Sequence, residues 1–183
     1  MNENPVAAPE PERLEDVYPL PAPAKPEPKK VELTEEDKER FFKSFLSDQP
    51  YEETFSRLGG RLKITLKTLT VEENYDIFRQ IDLDRKNDRA KNEDSYLMVV
   101  VQYRLAVSLV AINGTKFNED ITKADFATDE KAGLTYVGKR VEELKKWPVH
   151  KLAGFIDTFN LFENKVQQLT SEVANEDFWK AAV

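Results

Sequence analysis

The chain has 183 residues, 40% of them hydrophobic and 33% charged, a net charge of -7 and no cysteine. That length holds one ordinary domain plus a tail. Without cysteine there is no disulfide framework, thiolate zinc site or thiol nucleophile, and the negative charge argues against general binding to nucleic acid or to an anionic membrane face.

Residues 1–33 differ in composition from the rest of the chain. Eight of the ten prolines fall between Pro5 and Pro28, and the alternation Pro19, Pro21, Pro23 enforces an extended backbone. Such a stretch buries too little apolar surface to offset its ordering entropy, so the sequence predicts a stiff, flexible or partner-ordered arm. It serves as a spacer, or as a docking arm through its one apolar cluster: Leu14, Val17, Tyr18 and Leu20. No apolar segment flanked by positive charge marks a signal peptide there, and the expected location is the cytoplasm or a particle assembled in it.

From residue 34 to 183 the pattern is that of a single, mostly helical domain. Thr34 is placed as the N-cap of a helix with Glu35, Glu36 and Asp37 on its positive end, followed by Phe41, Phe42, Phe45 and Leu46. Ser47, Asp48 and Pro50 end it. Thr54 to Leu58 and Arg61 to Lys67 then read as a β-hairpin around Gly59-Gly60, two residues free to take positive φ. Leu62, Ile64 and Leu66 alternate with Arg61, Lys63, Thr65 and Lys67, which predicts one apolar face and one cationic face. The cations read best as protection of an exposed edge strand.

Thr70 and Glu73 form a capping box for a helix carrying Val71, Tyr75, Phe78 and Ile81. A charged connector, Asp82 to Asp94, comes next. Asp82, Asp84, Asp88 and Glu93 fall at calcium-loop positions, but Lys86 and Asn87 stand where a ligand oxygen and a glycine belong, so a solvated connector is the reading. Ser95 to Ile112 is apolar almost all round and predicts a buried central helix with Asn113-Gly114 as its C-cap. The rival takes the valine run as a strand and Asn113-Gly114 as a hairpin turn into Thr115 to Phe117. Arg104 must reach water or a carboxylate.

Residues 115–132 read as a loop with a weak helical turn at Phe126. Leu134, Val137, Val141 and Leu144 mark another amphipathic helix, stopped by Pro148. The last and longest stripe is Leu152, Phe155, Phe159, Phe162, Val166, Leu169 and Val173, in alternating steps of three and four. A phenylalanine-rich face of that length needs a matching surface in the chain or on a partner. Phe178 and Trp179 form a short aromatic tail beyond it.

No chemistry is announced. The one histidine, His150, has no nucleophile beside it in sequence, the glycines make no phosphate cradle, and no cofactor or metal is expected. Candidate partner-binding residues are therefore Leu14, Val17, Tyr18, Leu20, Phe155, Phe159, Phe162, Phe178 and Trp179. The alternative is a small regulatory or ligand-binding helical domain enclosing a pocket.

The stretches RLKITLKTLTVEENYDIFRQI, YLMVVVQYRLAVSLVAING and FNLFENKVQQL, with FW beyond, together resemble the small tail-assembly chaperone and baseplate-assembly proteins of tailed bacteriophages. The likeness spans about residues 54 to 179 and lies in architecture and residue flavour. It implies a non-enzymatic protein that binds phage tail or baseplate components in the host cytoplasm or stays in the virion; a homo-oligomer is a separate expectation. It assigns no functional residue, and the proline-rich arm lies outside it.

Overall fold

The structure, a computed structural model, describes residues 32–86, 93–118 and 135–174, with side chains from Met98 onward in the second stretch. It is mainly α with a small antiparallel sheet, the α+β class that the sequence predicts. The arm up to residue 31, the Phe126 turn, Leu134, and the Phe178-Trp179 tail lie outside the described residues.

Helix α1, Glu35–Leu46, starts on a full capping box. The Thr34 hydroxyl accepts from the Asp37 amide at 3.2 Å, and Asp37 accepts from the Thr34 amide at 3.1 Å. Strands β1, Glu52–Arg57, and β2, Leu62–Lys67, pair from Glu52 opposite Lys67 to Arg57 opposite Leu62. The connecting loop has four residues rather than the expected two. Leu58 joins Gly59 and Gly60 at positive φ (52°, 63° and 87°), so the reversal begins one residue before the glycines.

The apolar stretch expected to be one buried helix divides. Helix α3, Glu93–Ser108, passes directly into β3, Leu109–Ile112, and Asn113 (φ 50°) and Gly114 (φ 81°) turn the chain into β4, Thr115–Lys116. Each reading of this stretch holds for its own part, because β2 offers Leu109 to Ile112 an open ladder edge. The sheet order is β1-β2-β3-β4. β2 is therefore an inner strand, and its cations cannot serve as edge protection; Lys67 instead bridges to Glu73 at 2.5 Å.

Helices α2, Val71–Lys86, α4, Tyr136–Lys145, and α5, Val149–Val173, complete the fold. One buried cluster joins Ile64 and Leu66 of β2, Tyr103, Leu105, Ala106 and Val107 of α3, Val137, Val141 and Leu144 of α4, and Phe155, Phe159, Phe162 and Leu169 of α5. α4 and α5 both pack on α3, and Pro148 (φ -58°) is the N-cap residue between them. The α3-to-β3 switch is stapled by Arg140 of α4. Its Nε donates to Ala106 O at 2.8 Å and its Nη2 to Leu109 O at 2.6 Å. Phe117 and Tyr136 lie against the guanidinium, and burial pulls its pKa below the ordinary arginine value.

Candidate interaction surface

Helix α2 is set by polar contacts on its inner side. Thr70 and Glu73 close a capping box (3.0 and 3.2 Å), as the sequence predicts. Further along, buried Gln80 accepts from the Thr135 amide at 3.1 Å and its hydroxyl at 2.7 Å, and donates to Asp84 at 3.2 Å. The Tyr103 hydroxyl donates to the other Asp84 oxygen. Gly138 of α4 stands so close that a Cβ there would lie 2.8 Å from Gln80 Oε1. Buried groups in such a network are costly to leave unpaired, so they fix the helix rotation firmly.

That rotation turns the expected apolar stripe outward. Glu73, Ile77, Gln80, Ile81 and Asp84 face the core, whereas Val71, Tyr75 and Phe78 are 73%, 72% and 51% exposed. Of the four apolar residues that the sequence assigns to this helix, only Ile81 is buried. Positions 71, 75 and 78 form a continuous strip over two turns. Three large apolar residues in a row on a surface helix mark a place where another apolar group fits. The helix is acidic at its start, with Glu72, and basic at its end, with Arg85 and Lys86.

Helix α5 does the reverse. Phe155, Phe159 and Phe162 are at most 2% exposed; Trp147 packs edge-on to Phe155 at 4.7 Å, and Tyr51 and Phe55 cover Phe162 at 6.2 Å each. These three candidates for partner contact are core residues of their own subunit, and their role as an exposed surface is corrected here. Leu14, Val17, Tyr18, Leu20, Phe178 and Trp179 lie outside the described residues. Sequence reasoning misses the strip on α2 because aromatic weight argues for burial. Ile77 and Ile81, with polar Glu73, Gln80 and Asp84 at helical spacing, are the weaker signal that decides the matter.

Beneath α5 a buried ion cluster ties three elements. Lys165 Nζ lies 2.9 Å from Asp37 and 2.6 Å from Glu53, and the Tyr51 hydroxyl donates to Glu53 at 2.8 Å. Burial pushes the Asp37 carboxyl up, but its hydrogen bonds with Lys165 and Thr34 outweigh this and leave it below the ordinary range.

Two of the clefts among the described residues flank charged groups. One, of about 380 Å³, is lined by Thr68, Asn74, Arg104, Glu163 and Gln167 among others; Arg104 reaches Glu163 at 2.7 Å, so of the two expected outlets, water or a carboxylate, it takes the carboxylate. Burial raises the Glu163 pKa, and Arg104 opposes the shift. The other, of about 320 Å³, lies beside Arg140 and Asn118. Asp82 and Asp84 sit on helix α2 rather than in a calcium loop, and Asp84 is held by Tyr103 and Gln80. No three His, Cys, Asp or Glu side chains converge as a metal site among the described residues. His150 is exposed on the first turn of α5.

No helix among the described residues is long and apolar enough to cross a membrane. No protein-family model, no characterised protein and no solved structure matches the chain.

Proposed function

We propose that this is a non-enzymatic assembly or structural protein that works through protein–protein contacts, with the outward face of α2 as its contact element. One observation carries the reading: Val71, Tyr75 and Phe78 are held out by a buried polar network on the opposite side of the same helix. Exposed aromatic residues of this kind dominate interfaces, because they bring large rigid area at low entropic cost. The resemblance in sequence flavour supports phage tail or baseplate components as the partners, and cytoplasm or virion as the setting.

Co-expression of the full chain with candidate tail and baseplate proteins, followed by co-purification, tests this. The Tyr75→Gln/Phe78→Gln double variant is expected to lose at least about tenfold of the recovered partner, the loss typical of two interface anchors. Equal recovery by parent and variant would remove α2 as the contact element, and no recovery of any such protein would remove the phage setting.

A further inference from the structure

We propose that the α2 strip is covered, before a partner arrives, by the chain's own arm, with Leu14, Val17, Tyr18 and Leu20 lying along Val71, Tyr75 and Phe78. The inference rests on α2 being the contact element and adds its regulation: a built-in competitor that a partner must displace.

Size is the first argument. From their exposures, Val71, Tyr75 and Phe78 present on the order of 400 Å² together, against roughly 800 Å² a side for a stable pair of proteins. The strip alone is about half of that, so a short segment with four apolar side chains is enough to cover it, with its far end reaching past Phe78.

The second argument is where the arm enters the fold. Arg40, one and a half turns into α1, donates to Glu52 O at 2.6 Å. Glu52 pairs with Lys67 across the hairpin, and Lys67 bridges to Glu73 in the first turn of α2 at 2.5 Å. The start of α1 and the start of α2 thus share one end of the sheet. A helix rise, one strand spacing and a few side-chain lengths put them on the order of 25 Å apart. The twelve residues from Leu20 to Glu32, proline-rich, extend to roughly 37 Å. The tether reaches the Val71 end of the strip with length to spare.

Charge sets the direction. An arm arriving at Val71 with Leu20 runs antiparallel to α2 and carries Glu10, Glu12, Glu15 and Asp16, with Arg13 among them, toward the half of the helix where Arg79, Arg85 and Lys86 outweigh exposed Asp82. The opposite direction would place those acids beside Glu72 and the acidic first turn. Tethering supplies a millimolar effective concentration, so a contact too weak to hold a free peptide is well populated within one chain.

The chain has no cysteine, so within one molecule two introduced ones have no competing thiol. In the full chain carrying Pro21→Cys and Glu72→Cys, mild oxidation is expected to give an intrachain disulfide about tenfold faster than in the same chain also carrying Tyr75→Gln and Phe78→Gln. An equal rate in the two chains overturns the proposal, since the tether alone would then explain closure. A predominantly interchain disulfide also overturns it, by placing the arm on a neighbour. Either failure leaves α2 standing as an interface for other proteins, which co-purification reads separately.

Discussion

Helices α2 and α5 carry apolar residues at the same spacing and use them in opposite ways. On α5 the phenylalanines point in and are closed over by Trp147, Tyr51 and Phe55. On α2 the rings point out, while an amide, two carboxylates and two isoleucines point in. Periodicity finds a stripe; what the neighbours offer decides which stripe goes inside. For α2 the neighbours Thr135, Tyr103 and Lys67 all offer hydrogen-bonding groups, and those outrank the apolar gain of burying two rings.

The contrast can be broken at graded points. Phe162→Ala, which opens a void between Tyr51 and Phe55, is expected to cost about 3–5 kcal/mol in chemical denaturation. Lys165→Ala leaves Asp37 and Glu53 facing each other without their shared cation, and is expected to cost about 3 kcal/mol, more than Asp37→Asn alone. Gly138→Ala drives a methyl into Gln80 and is expected to cost about 1–2 kcal/mol while disturbing α2 rather than α5 in amide exchange. Tyr75→Gln and Phe78→Gln should stay within about 0.5 kcal/mol of the parent, since neither leaves the core. A loss above about 2 kcal/mol from that pair would place the strip inside.

Acid sharpens the same picture. The folded Asp37 pKa lies below the ordinary value of 3.8, so its contribution is present above that value and fades as pH falls through the lower, folded one. Asp37→Asn should flatten that part of a stability–pH curve. Glu163 has the opposite sign: its raised folded pKa means stability declines as pH rises through the window above its ordinary value of 4.5.

Much of the fold is legible in the sequence because local rules agree. The N-cap at Thr34, the capping box at Thr70, the stripe of α5, the β1–β2 pairing and the need of Arg104 for water or a carboxylate can all be read from spacing and charge. Illegible features depend on distant partners. Whether Leu109 to Ile112 continues a helix or joins a sheet depends on β2, more than forty residues earlier. The identities of Lys165, Gln80 and Arg140 give no hint that each is buried, since each is polar and each is satisfied by groups far away in sequence. The proposed interaction surface is illegible for the same reason: three of the expected contact residues stabilise the core, and the exposed strip is built of residue types that argue for burial.

The arginine staple has a consequence for how the molecule is made. The carbonyls that Arg140 secures, at Ala106 and Leu109, leave the ribosome some thirty residues before it. Until Arg140 emerges, only the pairing of β3 with β2 marks where the coil of α3 gives way to the flat ladder, and the carbonyls at that boundary lack the staple that secures them. The second half of the sheet and the fourth helix should therefore acquire their protection together, as one late step in the birth of the domain.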